Sequence, residues 1–490
     1  MDPLLRELMD DARALWPTIA SILHVLGACA VTVHAILRKK EKKSAIAWIG
    51  LSWLSPIIGS IAYLVLGINR IERKAVSLGL LNVWDHDPSQ ELTSEDQRLI
   101  HHAKLEHQNF LGLVELGSQL TRKPLLLGNA ITPLINGDAA YPEMLAAIDS
   151  AQVSITLNSY IFDSDRAGDQ FLTALTNAQQ RGIKVRVMID GVGSRYSKPS
   201  MVGRLKKAGI NVAEFLPSRA PWSMAFANLR NHRKILVVDG TIGFTGGTNI
   251  REGHCLNLQP DFPVACLHFK VQGPVVAELQ EAFAIDWAFT TQETLVGPTW
   301  FPDLERHGKV VARGVPDGPD EDLNKINEII LGALSIAREH VRIVTPYFLP
   351  ADSILDALAV TAMRGVTVEI LLPSKNNIAI MNWAMVPQLQ HLIKKGIHIY
   401  SSPAPFDHTK LFVVDHLWSL IGSTNWDARS MRLNFEYNLE CYDATLARQL
   451  DTIIDQKLAN ATRITLDQIQ HRPLPIKLRD GAAQLFAPYL

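Results

Sequence analysis

Cysteine is scarce in this sequence. Cys29, Cys255, Cys266 and Cys441 are the four in 490 residues, with no CxxC pair and no zinc-type spacing. Neither a disulfide scaffold nor a thiolate metal site fits that pattern, and the three in the body point to a reducing compartment. There is no HExxH, and neither a metal nor another cofactor is expected. An excess of charge is also lacking: 48 basic against 49 acidic residues leave a formal charge of −1. Bulk electrostatics therefore give no reason to expect a nucleic-acid partner.

Two stretches lack Asp, Glu, Lys and Arg altogether: PTIASILHVLGACAVTVHAIL (17–37) and SAIAWIGLSWLSPIIGSIAYLVLGI (44–68). Each is long enough to cross ~30 Å of hydrocarbon as a helix. The spacing predicts an N-terminal transmembrane hairpin, with Pro56 tolerated in lipid. The first run continues past the faint lipoprotein-like box LGAC (26–29), so an uncleaved anchor is expected. For two spans the positive-inside count is a tie, five residues in RKKEKK (38–43) against Arg6, Arg13, Arg70, Arg73 and Lys74. Residues 1–74 then form the anchor and 75–130 a polar linker.

The length exceeds what a single core usually supports, and the rest of the chain repeats itself. VSITLNSYIFDSD (153–165) matches VRIVTPYFLPADS (341–353), RGIKVRVMID (181–190) matches RGVTVEILLP (364–373), and LKKAGINV (205–212) matches LIKKGIHI (392–399). Strands alternating with helical stretches imply an α/β fold. Two units, 131–300 and 301–465, each a mixed sheet flanked by helices, are expected to pair about a pseudo-twofold axis. The tail, 466–490, either lies on a membrane surface or packs against the body.

Each unit then carries the same short pattern. NHRKILVVDGTIGFTGGTN (231–249) places His232, Lys234, Asp239, Gly246 and Asn249 at the spacing that HTKLFVVDHLWSLIGSTN (408–425) gives His408, Lys410, Asp415, Gly422 and Asn425. In a strand, residues two apart share a face, so each histidine–lysine pair is aimed together. Brought to one cleft, two histidines, two lysines and two asparagines suit a phosphodiester. The lysines and asparagines would hold oxygens, one histidine would attack phosphorus and the other would shuttle the leaving and incoming protons. Asp239 and Asp415 lie at the far end of each strand, where holding a turn suits them better than touching substrate. A near match in HHAKLEHQN (101–109) lacks the aspartate, strand, glycine and asparagine, and reads as a polar linker helix.

The doubled HxKx4D with Gly-x-x-Asn resembles the phospholipase D superfamily. SAIAWIGLSWLSPIIGSIAYLVLGINR (44–70) and DARSMRLNFEYNLECYD (427–443) are similar to bacterial cardiolipin synthases within it. The resemblance implies two phospholipase D-like units and a catalytic set of His232, Lys234, Asp239, His408, Lys410 and Asp415. Asn249, Asn425 and Glu436 would hold substrate or orient the site, with Glu436 supporting the second-half histidine. It also implies phosphatidyl transfer between two phosphatidylglycerol molecules through phosphohistidine, releasing glycerol, at the bacterial inner membrane on a multi-pass anchor; the side of the catalytic units is left open by the tied charge count, with the unpaired cysteines favouring the cytoplasmic one. The alternatives are hydrolysis by the same chemistry, as a lipase or a nuclease, and an inactive membrane scaffold.

One departure stands out. Where the family has Trp-Arg-Asp or similar before a Gly-Pro, this chain has VACLHFKVQGP (264–274), with Cys266 in the carboxylate's place. Either Asp261 serves His232 or that histidine works unsupported. Tyr160 and Tyr347 occupy matching places and are expected to pack in the core, with cleft lining as the alternative. WSMAFANLRN (222–231) and IAIMNWAMV (378–386) fit either acyl-chain contact or ordinary core.

Overall fold

The computed structural model describes residues 3–39, 42–67, 110–217, 229–319, 324–485 and 487. The polar stretch 101–109, the linker up to residue 109, and residues 222–228 of the Trp- and Met-bearing segment lie outside them. The chain divides into a small N-terminal body and a large one that holds the duplicated units.

In the large body the alternation of apolar strands and amphipathic helices produces one mixed sheet. Across the first half the order is Leu126–Ile135, Leu267–Gln272, Ile242–Gly246, Ile235–Val238, Ser154–Ser159, Lys184–Asp190 and Asn211–Phe215. The second half repeats it with Val310–Asp317, Asn434–Tyr442, Trp418–Gly422, Leu411–Val414, His340–Val344, Thr367–Pro373 and His398–Ser402. Within each half the last three strands pair in parallel. The motif strand is antiparallel to its neighbours.

The two halves join through their first strands, antiparallel, with Leu126 opposite Ala312 and Asn129 opposite Val310. Each half buries its own apolar cluster, and a third draws on both, including Ile235, Val271 and Leu279 with Leu411, Val413 and Leu439. The motif strands ILVV and LFVV are buried throughout, as expected of strands covered on both faces. Helices start where a short polar side chain accepts an otherwise unpaired N–H: Asp165 from Gly168 before Arg166–Gln180, and Asp443 from Leu446 before Ala444–Leu458.

Two expectations change and two open alternatives are resolved. Part of the predicted linker is structured: helix Leu111–Thr121 buries Leu113 and Val114 in the second-half core, and strand Leu126–Ile135 is central to the sheet. The tail packs against the body, with Ile469 and Ala483 in the second-half core and the Arg479 guanidinium 4.6 Å above the Trp383 ring. Residues 378–386 likewise supply core, since Met381, Ala384 and Met385 are buried in helix Ala379–Lys394.

The second change concerns the anchor. Helix α1 (Pro3–Arg38) includes an apolar span, Leu15–Arg38, long enough to cross a membrane. The second apolar run is not one helix: α2 (Lys42–Leu54) stops before Pro56, and Ile57 adopts φ 63° before α3 (Ile58–Ala62) and a π turn (Tyr63–Gly67). Proline removes a donor and a β-branched residue at positive φ breaks helical continuity. Among the described residues one helix, not two, has the length to span.

Asp239 and Asp415, both at φ 51°, sit at the strand ends away from the histidines. Asp239 accepts from the N–H groups of Gln152, Val153 and Ser154 at 2.8, 2.7 and 2.9 Å. Asp415 does the same for Arg338, Glu339 and His340, each at 2.9 Å. These carboxylates clamp the start of the neighbouring strand. Replacing either with alanine is expected to cost about 2 kcal/mol, the value of charge-assisted bonds to main chain. Thermal unfolding checks this, and an unchanged midpoint in both variants would contradict the clamp.

Candidate active site

Both His-x-Lys segments sit just before their strands, which begin at Ile235 and Leu411. Short cross-half bridges set their position. Arg230 and Asn231 pair in parallel with Asn434 and Phe435, and Phe406 and Asp407 pair with Val264 and Ala265. Continuing each register brings His232 level with Glu436 and His408 level with Cys266. The histidine rings then lie 6.4 Å apart between centroids, although 176 positions separate them in sequence.

The orienting carboxylate therefore crosses between halves. His232 Nδ1 lies 2.9 Å from both Glu436 oxygens. The expectation that Glu436 supports His408, leaving His232 to Asp261 or unsupported, is reversed. Asp261 is exposed, and His408 is the histidine without a carboxylate. Its Nδ1 lies 3.1 Å from the Gly247 carbonyl and 4.0 Å from Cys266 Sγ. Ser423 Oγ donates to Glu436 at 2.6 Å and Asn434 Nδ2 at 3.1 Å. Both lie inside motifs already conspicuous in the sequence, but their common target could not be read there.

His232, His408, Lys234, Lys410, Cys266 and Glu436 are all buried, and burial is the largest single influence on each. His232 is lowered to about 4 by burial, against the attraction of Glu436. Burial alone would raise Glu436, but His232, Lys234 and the bond from Ser423 outweigh it and hold it below its usual range. Burial pushes Lys234 down to about 7 and Lys410 to about 8. His408 falls well below its ordinary value through burial and then Lys410, Lys234, His232 and His254, while burial keeps the Cys266 thiol up and protonated. Lowered in this way, both imidazoles are neutral near pH 7. His232 donates from Nδ1 to Glu436 and His408 to Gly247, leaving Nε2 of each with a free electron pair.

Lys234 Nζ and Lys410 Nζ each donate to the carbonyl of the histidine two residues before, both at 2.7 Å. Asn249 accepts from the Ile161 N–H at 3.3 Å, and Asn425 Nδ2 donates to Ser430 Oγ at 3.1 Å. Five residues after Asn249, where the other half has Ser430, stands His254. Its ring is 6.5 Å from that of His408, and its Nδ1 donates to the Val264 carbonyl at 3.1 Å. His254 was missed for want of a matching residue in the repeat. Tyr160 and Tyr347 were expected in the core. Their rings lie 5.1 Å from His232 and 6.4 Å from His408 respectively, so both flank the pair. No cluster of metal-ligating side chains occurs among the described residues. With two lysines and one carboxylate at its centre, the site suits an anion.

The family model "Cardiolipin synthase, PLD-like domain" matches residues 144–287 and 330–458, and "Phospholipase_D-nuclease N-terminal" matches 19–67. The chain is 31% identical over 467 residues to cardiolipin synthase 2 of Staphylococcus epidermidis, covering 93% of this chain and 94% of that one. It is 28% identical over 482 residues to the major cardiolipin synthase ClsA of Bacillus subtilis, covering 96% and 99%. Among solved structures, the phosphatidylserine synthase of Haemophilus influenzae aligns with a TM-score of 0.62 at 15% identity, over 77% of this chain and all of that one. That likeness shows the fold.

A carboxylate placed beside His408 would stabilise its charged form. Cys266→Asp is therefore expected to raise the His408 pKa by at least about one unit, whereas Cys266→Ser is not. Titration of isotopically labelled histidine reads this directly, and equal His408 curves in both variants would contradict the facing arrangement.

Proposed function

This chain belongs to the phospholipase D-like cardiolipin synthase family, and from that premise we propose that it is a cardiolipin synthase transferring a phosphatidyl group between two phosphatidylglycerol molecules. The observation that carries the reading is the histidine pair, 6.4 Å apart and backed by a carboxylate on one side only. A single phosphorus fits between two such rings, as in-line transfer requires.

The asymmetry favours His232 as nucleophile. It is neutral with its Nε2 pair free, and Glu436 stabilises the positive charge that develops on the ring as the N–P bond forms. The P–O bond to the first glycerol breaks, and the departing oxygen takes a proton from His408. The anionic phosphate supplies the counter-charge that His408 otherwise lacks, so substrate binding favours the protonated ring. In the second step His408 takes the proton from a glycerol hydroxyl of another phosphatidylglycerol. That oxygen attacks phosphorus, the N–P bond breaks, and cardiolipin leaves with His232 restored. Lys234, Lys410, Asn249 and Asn425 hold the non-bridging oxygens throughout.

The N-terminal apolar helix supports membrane association, where both substrates reside. The bacterial cytoplasmic membrane is the proposed location.

Purified protein in phosphatidylglycerol micelles should yield cardiolipin and glycerol by mass spectrometry. Phosphatidic acid alone would replace synthesis with hydrolysis, and no turnover would favour a scaffold. Glu436→Gln is expected to lower turnover about 10²-fold, the usual scale for losing an orienting partner. His232→Ala should abolish it together with any acid-labile phosphatidyl-enzyme.

The pH profile follows from the same groups. Lowered to about 4, His232 remains neutral until the pH falls through that value. Lys234 and Lys410 lose charge as pH rises through about 7 and 8. A bell-shaped kcat is expected at saturating phosphatidylglycerol, where the bound phosphate keeps His408 protonated, with an acid limb well below pH 6 and an alkaline limb near 7 to 8. An acid limb at the ordinary histidine value would contradict the assignment.

A further inference from the structure

The three helices of the N-terminal body are arranged in a way that hydropathy alone does not disclose. In a straight helix residues 48 and 63 would be separated by about 22 Å. Here the Trp48 and Tyr63 rings meet at 5.4 Å between centroids, so the chain beyond Pro56 runs back along α2. Contacts with α1 give the direction. Trp53 Nε1 donates to Thr32 Oγ1 at 3.1 Å, and the Trp53 carbonyl lies 3.2 Å from His24 Nε2. Ser60 then packs against Gly27, and Tyr63 Oη lies 2.7 Å from His34 Nδ1. From His24 to His34 the chain has moved back toward the Arg38 end of α1.

The depths follow from the helical rise of 1.5 Å per residue. His24 lies about 21 Å from Arg38 along α1, and His34 only about 6 Å. The hairpin thus goes partway along the apolar span Leu15–Arg38, about 36 Å long, and returns. At the turn the chain approaches itself closely: a Cβ on Gly59 would collide with the Leu51 carbonyl, so glycine permits the return. Ser55 N–H to Leu51 and Gly59 N–H to Ser55, both at 3.0 Å, satisfy main-chain groups that hydrocarbon could not. Leu54 and Ile58 flank the turn at 87% and 71% exposure, and Leu23, Leu26 and Ile36 of α1 are also exposed, which suits a lipid surround.

We infer that the chain crosses the bilayer once, through α1, and that α2 and α3 form a re-entrant hairpin leaving by the face it entered. Its consequence is sidedness. With two spans the basic residues divide evenly, but with one span they do not. Five in residues 38–43 and three at Arg70, Arg73 and Lys74 make eight on one side, against Arg6 and Arg13 on the other. The positive-inside rule then puts the end of the hairpin on the cytoplasmic side and the N-terminus outside. Residues 68–109 hold no apolar run long enough to cross again, so the duplicated units follow on the cytoplasmic side. This inference stands apart from the proposed reaction, because it rests on the N-terminal body alone.

Single cysteines at Asp10, Glu41 and Ser94 in the full-length chain test it, each labelled with a membrane-impermeant maleimide in right-side-out and inverted bacterial vesicles. The wild type serves as blank, since Cys255, Cys266 and Cys441 are buried and Cys29 lies within the span. Asp10→Cys is expected to label at least tenfold more in right-side-out vesicles, and Glu41→Cys and Ser94→Cys at least tenfold more in inverted ones. Asp10→Cys and Ser94→Cys labelling from one side with Glu41→Cys from the other would establish two spans and overturn the inference; so would all three labelling from one side. A protease-cleavable tag on the N-terminus of the otherwise unaltered chain gives a second reading. Cleavage from outside intact spheroplasts supports the single span, and protection there contradicts it.

Discussion

A carboxylate without water is the constraint around which this molecule is built. Glu436 is fully buried, and an ion in that position costs several kcal/mol unless its oxygens are met by donors. They are met by His232, Ser423 and Asn434, with Lys234 nearby. His232 belongs to the first half and the other two donors to the second. The charge is therefore tolerable only when the halves are together, and the site is completed by the same event that completes the sheet.

That dependence runs through ordinary strand pairing. The antiparallel join of Leu126–Ile135 to Val310–Asp317 fuses the sheets, and the shared apolar cluster closes around it. The two-residue bridges at 230–231 and 406–407 then set which side chain faces which. A slip of one residue in the first bridge would turn Glu436 away from the imidazole and leave its charge unpaired. Arg233, between His232 and Lys234, guards that register. It donates to the Glu436 carbonyl at 3.0 Å and pairs with Asp286 at 2.9 Å, all in the interior.

Much of this was legible in the sequence because repetition is legible. The matched strands and the doubled His-x-Lys pattern identified two like units and aimed their side chains at one target. The far position of Asp239 and Asp415 suggested a turn-holding role, and their bonds to main chain fit that reading better than the catalytic set in which the resemblance placed them. What the residues could not disclose was the exchange between halves. Similar spacing in each copy invites pairing Glu436 with the histidine of its own copy, whereas the bridges that decide the matter are tertiary and only two residues long. The tyrosines were left between core and cleft for a related reason, and Tyr347 serves both, packing on the second-half core beside His408: an aromatic ring beside a strand looks the same whether its neighbour is a leucine or an imidazole. In the anchor, hydropathy measured length and polarity, but the direction of the chain after Pro56 depends on Ile57 at positive φ and on the close approach of Gly59.

In the proposed double displacement, the difference between Glu436 and Cys266 lets the two bases behave unequally. Were both histidines backed by carboxylates, either could stabilise the charge of a phosphorylated ring, and substrate orientation alone would choose between them. Here one imidazole has an ionised partner, while the other faces a protonated thiol and a carbonyl among lysines. Charge accumulated on the first is compensated by protein; charge on the second must be compensated by the bound phosphate. A histidine whose protonation depends on the ligand is suited to give up its proton as the phosphate's negative charge is redistributed, and poorly suited to hold a covalent intermediate after the first alcohol has gone. The duplication supplies two similar bases, and the difference between Glu436 and Cys266 at matching register positions gives them distinct tasks in the proposed reaction.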